Sequence, residues 1–222
     1  MSKRRTVIIV LITLICCLAM AVVEVVIRPG YAGKSAIKMA LFLLIPLAAS
    51  LCDKDILYLK LFRFRKNGFL ASLLLGVGVY GVIVGGYFLV RPFFDFSQIA
   101  VSLTKNVGVD KDNFLFVALY ISFVNSLLEE FFFRGFVFTN LKGQGSRTFA
   151  YWFSGGVFAL YHVAMMIGWF SPLLFALVMA GLLVGGMIFN YLNERMDTIC
   201  ASWLVHMFAN FAINTIGFML LG

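Results

Sequence analysis

The chain is 222 residues long, 62% hydrophobic and only 13% charged, with a formal net charge of +8 at pH 7. So low a charged fraction excludes an ordinary water-soluble domain. Apolar runs of about 18 residues or more recur along it, each long enough to cross a bilayer as a helix. The positive balance does not point to nucleic acid as a partner, because it falls in alternate loops. Lys3, Arg4 and Arg5 precede the first run; Lys54, Lys60, Arg63, Arg65 and Lys66 fill the second loop; Lys142 and Arg147 lie in the fourth. This is the positive-inside pattern of orientation, with anionic headgroups of the lipid bilayer as the matching partner. The expected fold class is all-α, a polytopic transmembrane helix bundle of about seven spans with a cytoplasmic N-terminus and an outer C-terminus. It is expected to form one transmembrane domain over residues 1–222, with generic spans in residues 6–112 and a motif-bearing core in residues 113–222.

In chain order, span one is expected over residues 6–27 and is ended by Arg28-Pro29-Gly30. Glu24, near its outer end, is expected to snorkel to the headgroups. The basic start, the apolar run and Ala19-Met20-Ala21 also resemble a cleaved secretory signal, but the run continues through residues 22–27 to full spanning length, so the helix is expected to be retained. Span two, residues 35–51, is short and contains the potential kink Pro46. After the basic loop 52–67, span three covers residues 69–90, with Gly81 and Gly85 four apart on a small face suited to close packing. Residues 91–113 form the longest polar connection, with room for an eighth short helix near residues 95–104.

Span four is expected over residues 114–138 and span five over residues 149–169. Pro172 opens span six (residues 173–192), where Ala180, Gly181, Gly185 and Gly186 again favour close packing. A polar loop at 193–198 leads to span seven, from Ile199 to the end. Cys16, Cys17, Cys52 and Cys200 have no metal-ligand spacing and read as packing residues.

The chemistry is concentrated in spans four, five and seven. Residues 127–134, LLEEFFFR, place two carboxylates and an arginine in an apolar helix, and the chain's two histidines, His162 and His206, also lie in apolar runs. Each ionisable group at membrane depth costs about 2.5–3.5 kcal/mol, so four standing alone would cost roughly 10 kcal/mol. Such groups converge on a shared, partly wet cavity, and this set reads as an active site. On span four, Ser122, Asn125, Ser126 and Glu129 form one polar stripe. Glu130 and Arg134 are four apart with the acid first, the favourable order for an ion pair; a pair at the cytoplasmic helix end would account for both without function. Glu129 has no cation among its helical neighbours, so it is left to face the cavity.

On span seven, Ser202, His206, Asn210 and Asn214 step by four. His206 and Asn210 would project together; interhelical hydrogen bonding is the competing explanation for them and the favoured one for Ser202 and Asn214. His162, taken alone, reads as a satisfied core histidine, and gains weight as one of only two. Two chemistries fit Glu129, His162, His206 and Asn210. A glutamate and a histidine could activate water while the second histidine and the asparagine donate to an oxyanion. Alternatively, both histidines and a glutamate could ligate zinc.

Glu129-Glu130-x-x-x-Arg134, Phe158-x-x-x-His162 and His206-x-x-x-Asn210 together resemble the three-motif signature of the CAAX prenyl protease and bacteriocin-processing (Abi) family, which includes the type II CAAX prenyl endopeptidases. The resemblance covers spans four to seven. It implies a glutamate-dependent intramembrane endopeptidase with no required metal or other cofactor, acting on a peptide or protein substrate held at the membrane, including lipidated ones. It implies Glu129 as the base with His162 assisting, His206 and Asn210 as the oxyanion site, and Glu130 with Arg134 in support. The family also includes members assigned to bacteriocin immunity, so a non-enzymatic immunity or scaffold role is the second expectation. A proton-coupled transporter is the third, though no inverted repeat or pair of broken helices supports it. On the expected boundaries Glu129 and His206 lie roughly 10–14 Å from the cytoplasmic ends of their helices and His162 nearer 20 Å. Tilt, a later start to span five or a broken helix must close that gap.

Overall fold

A computed structural model describes residues 3–53, 56, 62, 66–102, 104 and 112–221. Most of the basic loop 52–67, and residues 103 and 105–111, lie outside the described set. Helices α1 (Lys3–Ile27), α2 (Tyr31–Cys52), α3 (Lys66–Val90), α4 (Ser97–Ser102), α5 (Phe114–Gly143), α6 (Arg147–Met166), α7 (Pro172–Met196) and α8 (Ile199–Leu221) follow in order, and no strand occurs among the described residues. The short helix expected near residues 95–104 is α4. The all-α reading therefore holds.

Among the described residues six helices are long and apolar enough to cross a membrane: α1, α2, α3 from Gly68, α5, α7 and α8. The expected fifth crossing, α6, forms a helix of 20 residues, about 30 Å long, but is not one of the six. Tyr151, Ser154, Gly155, Gly156, Tyr161 and His162 dilute its apolarity. It packs against α1, α5 and α7.

The core is centred on α5. From Glu130 to Phe138 every residue is buried, with Phe132, Phe133, Phe136 and Phe138 fully enclosed. A helix that is apolar all round belongs at the centre of a bundle, and here α1, α2, α6 and α8 surround it. Phe42 of α2 stacks on Phe132 with ring centroids 4.1 Å apart. Because lipid tails are as apolar as these side chains, such contacts act through close packing rather than through expulsion of water.

Two helices change register where the interior demands it. In α2, residues Ala40–Leu44 make π-type i→i+5 turns immediately before Pro46. Proline lacks the N–H that would bond the carbonyl four residues back, and the wider turn absorbs that loss. In α5, Tyr120–Asn125 and Glu130–Phe138 are π-helical and flank a single α-turn, Ser126–Glu129. Such turns are frequent at functional sites.

Close helix approach occurs at Gly155 and Gly186: a Cβ added at Gly186 would lie 3.1 Å from Gly155 Cα. Gly76, against Phe208 of α8, and Gly68, against Met196 of α7, make the close contacts of α3 rather than the expected Gly81 and Gly85; a Cβ at Gly81, Gly85, Gly181 or Gly185 would meet nothing within 4 Å. The α7–α8 connection is tighter than expected, since α7 continues to Met196. Asp197 adopts a left-handed φ of 54° and its N–H caps Asn193 O at 2.9 Å. At the same end, Arg147 holds Glu194 in a two-pronged ion pair at 2.9–3.0 Å, joined by the Tyr151 hydroxyl at 2.6 Å. Glu24 is not left to snorkel; it pairs with Lys34 at 2.7 Å, locking α1 to α2.

Candidate active site

The depth mismatch expected for Glu129 and His162 is closed by α5, which continues to Gly143. Thr139 and Asn140 do not end the helix, because their side chains donate back to Arg134 O and Phe136 O, at 2.7 and 2.8 Å. Glu129 therefore lies fourteen residues before Gly143 and His162 fifteen residues after Arg147, at matching positions along the α5–α6 hairpin.

Glu129 is 1% exposed. Its Oε2 faces His162 Nε2 at 3.9 Å and His206 Nε2 at 3.7 Å. Both imidazoles are oriented through their other nitrogen. His162 Nδ1 lies 2.7 Å from Phe158 O, and His206 Nδ1 lies 3.0 Å from Glu130 Oε1. A carbonyl or carboxylate can only accept, so each Nδ1 carries the hydrogen and each Nε2 is turned on Glu129. The rings are further held by aromatic neighbours: His162 edge-on to Phe158 at 4.7 Å, and His206 stacked on Phe189 at 5.0 Å.

Glu130 and Arg134 form the expected i,i+4 pair at 3.2 Å, both wholly buried rather than at a helix end near the surface. The guanidinium lies 4.2 Å over the Phe158 ring and 4.9 Å over Phe189, and Nη2 donates to Gly186 O at 3.3 Å. Arg134 thereby links the helices that carry Glu130, His162 and the Phe189 platform of His206.

Asn210 is 9% exposed, and its Nδ2 donates to Ile121 O at 3.1 Å. Asn214 donates to Ala118 O and Ser122 Oγ at 3.2 and 3.0 Å, and Trp203 Nε1 reaches Phe123 O and Ser126 Oγ, both at 3.1 Å. These bonds tie α8 to α5 along and beside its π-helical stretch Tyr120–Asn125. Ser202 bonds within its own helix, to Ile199 O at 3.1 Å.

A cation missing from the sequence reading completes the site. Lys38 of α2 is 5% exposed, and its Nζ lies 2.5 Å from Glu129 Oε1 and 2.6 Å from Asn125 Oδ1. Asn125 Nδ2 in turn donates to the same Oε1 at 3.1 Å. The buried set thus holds two carboxylates, Glu129 and Glu130, against two cations, Lys38 and Arg134. With neutral imidazoles it carries no net charge, which answers the cost of placing isolated charges in the bilayer. Among the described residues no group of three or more His, Cys, Asp or Glu side chains is arranged to hold a metal ion.

Fold and site together define a multi-pass membrane protein whose helices enclose an acid–imidazole centre. Residues 111–212, a little under half of the chain, match the family model described as type II CAAX prenyl endopeptidase Rce1-like. The segment contains Glu129, Glu130, Arg134, His162, His206 and Asn210. No curated protein and no solved structure matches the chain.

Proposed function

We propose that the chain is an intramembrane endopeptidase in which Glu129 and His162 activate a water against a peptide bond. The observation that carries this reading is the convergence of Glu129 Oε2 and the Nε2 atoms of His162 and His206. With both Nδ1 atoms engaged, the two Nε2 lone pairs and the carboxylate oxygen are all acceptors. Direct bonds between them cannot form, and a water, which brings two hydrogens, can bridge the carboxylate oxygen and one of the imidazoles.

In the reaction the water oxygen bonds to the scissile carbonyl carbon as its proton passes to Glu129 Oε2, with His162 holding the water in line. The carbon–nitrogen bond then breaks, and the same proton goes to the leaving amine. His206 faces the developing oxyanion. With its Nδ1–H held by Glu130, it takes up one proton from solvent at Nε2 as substrate displaces the resting water, donates it to the oxyanion as the doubly protonated ring, and returns it to solvent when the product leaves. Asn210 has one N–H committed to Ile121 O and supplies the oxyanion with its second. Glu130 and Arg134 hold His206 in place. In this reading side chains alone activate the water, and no metal ion takes part. The substrate is a peptide or protein tail held at the membrane. Since the matched family is described as a prenyl endopeptidase, a lipidated C-terminal tail is the first candidate.

The test compares membrane peptides, by mass spectrometry, from cells expressing wild type and Glu129→Gln at matched levels. A cleavage product confined to wild type is expected. Identical products from both would remove Glu129 as the base.

A further inference from the structure

We infer that Lys38 is a positioning residue, clamping one oxygen of Glu129 so that the other is presented to the two imidazoles. This rests on the protease reading above for its kinetic consequence, but not for its physical content.

The two oxygens of Glu129 have different surroundings. Oε1 takes donors from both Lys38 Nζ, at 2.5 Å, and Asn125 Nδ2, at 3.1 Å, while Asn125 Oδ1 accepts from the same ammonium at 2.6 Å. The three groups close a ring in which each touches the other two. Oε2 has no hydrogen-bond donor among the described residues and looks only at His162 and His206. Rotation about the last bond of a glutamate is broad and roughly two-fold, so an unclamped carboxylate would offer either oxygen at many angles. The ring removes that freedom.

Lys38 is itself held. Its Nζ lies 5.0 Å from the centroid of the Tyr161 ring and 5.5 Å from that of Phe42, within cation–π range. Phe42 stacks on Phe132 of α5, which fixes α2 against the helix that carries Glu129. An apolar residue of Lys38's length would fill the same space without a buried charge. It would also leave the Glu129 carboxylate without the cation it is paired with. Clamping Oε1 is what the ammonium adds.

The test uses full-length protein in proteoliposomes and a quenched fluorescent peptide ending in a farnesylated Cys-aliphatic-aliphatic-X tail. Lys38→Met keeps the side chain's length and removes its charge. A fall in kcat on the order of 100-fold is expected, the scale of losing sub-ångström placement of a reacting group, with KM within a few-fold of wild type. The second arm needs no activity: the infrared carboxylate band of Glu129 is isolated by subtracting the Glu129→Gln spectrum, in the wild-type and the Lys38→Met backgrounds. A band that shifts or disappears without Lys38 is expected. A wild-type kcat in Lys38→Met, or an unchanged Glu129 band, overturns the clamp. If wild type does not cleave the peptide, or Glu129→Gln cleaves it equally well, the protease reading fails, and the infrared comparison still decides whether Lys38 binds Glu129.

Discussion

Removing Arg134 alone should cost far more than removing Arg134 together with the charge of Glu130. The two groups lie 3.2 Å apart with no exposed surface on either side chain. Arg134→Met strands the Glu130 carboxylate in the core with only the His206 Nδ1–H, at 3.0 Å, to receive it. Breaking a buried pair from one side costs about 3–5 kcal/mol. The guanidinium also lies over Phe158 and Phe189, and a desolvated cation–π contact adds about 2 kcal/mol. The single variant is therefore expected to lose roughly 5–7 kcal/mol. Glu130→Gln in the same protein removes the stranded charge while leaving an oxygen for His206, and should recover about 3 kcal/mol of that loss.

Reversible unfolding in mixed detergent micelles, followed for wild type, both single variants and the double variant, gives the coupling energy directly. A coupling of at least about 3 kcal/mol is expected, the recovery plus whatever Glu130→Gln costs alone. A value under about 1 kcal/mol would equal that of a surface pair and would refute the view that Glu130 and Arg134 neutralise each other in a closed interior. The double variant should stay far below wild type in proteolysis despite its recovered stability, because the neutral amide introduced by Glu130→Gln cannot support a doubly protonated His206.

Two further outcomes follow from the geometry. His162→Gln keeps a polar group near Glu129 but loses the ring nitrogen fixed by Phe158 O; peptide turnover should fall about 10²–10⁴-fold with the thermal transition nearly unmoved, and turnover within about threefold of wild type would exclude His162 from water activation. Gly186→Ala would put a Cβ 3.1 Å from Gly155 Cα and 3.4 Å from Arg134 Nη2, whereas Gly185→Ala meets nothing within 4 Å. Overpacking of this kind costs about 1–3 kcal/mol, so the first should unfold more readily in the micelle assay and the second should match wild type; equal stability would show that α6 and α7 are not in close contact.

The helical crossings were legible because span length and apolarity are fixed by the bilayer. The acids and histidines of α5, α6 and α8 were legible because an ionisable group there must be compensated. The i,i+4 spacing disclosed Glu130–Arg134 but not its depth. Ending span four at residue 138 treated Thr139 and Asn140 as loop residues, although both return their hydrogen bonds to the helix. The π-helical stretches of α5 leave no compositional mark at all. Where Gly81 and Gly85 promised a packed face, α3 uses Gly68 and Gly76, because a small-residue repeat fixes a surface but not what lies opposite.

Lys38 escaped for a more instructive reason. With span two beginning at residue 35, it falls in the first turn, where a lysine snorkels to the headgroups at little cost. The helix begins at Tyr31, which puts Lys38 two turns inside. Lys38, like Glu129, is then a charge at a depth where it needs a partner. Glu129 had been left with no cation among its helical neighbours, so each of the two charges pointed to the other. In a membrane interior, a charge sum that does not close along one helix shows that the missing partner lies on another, and here α2 supplies it.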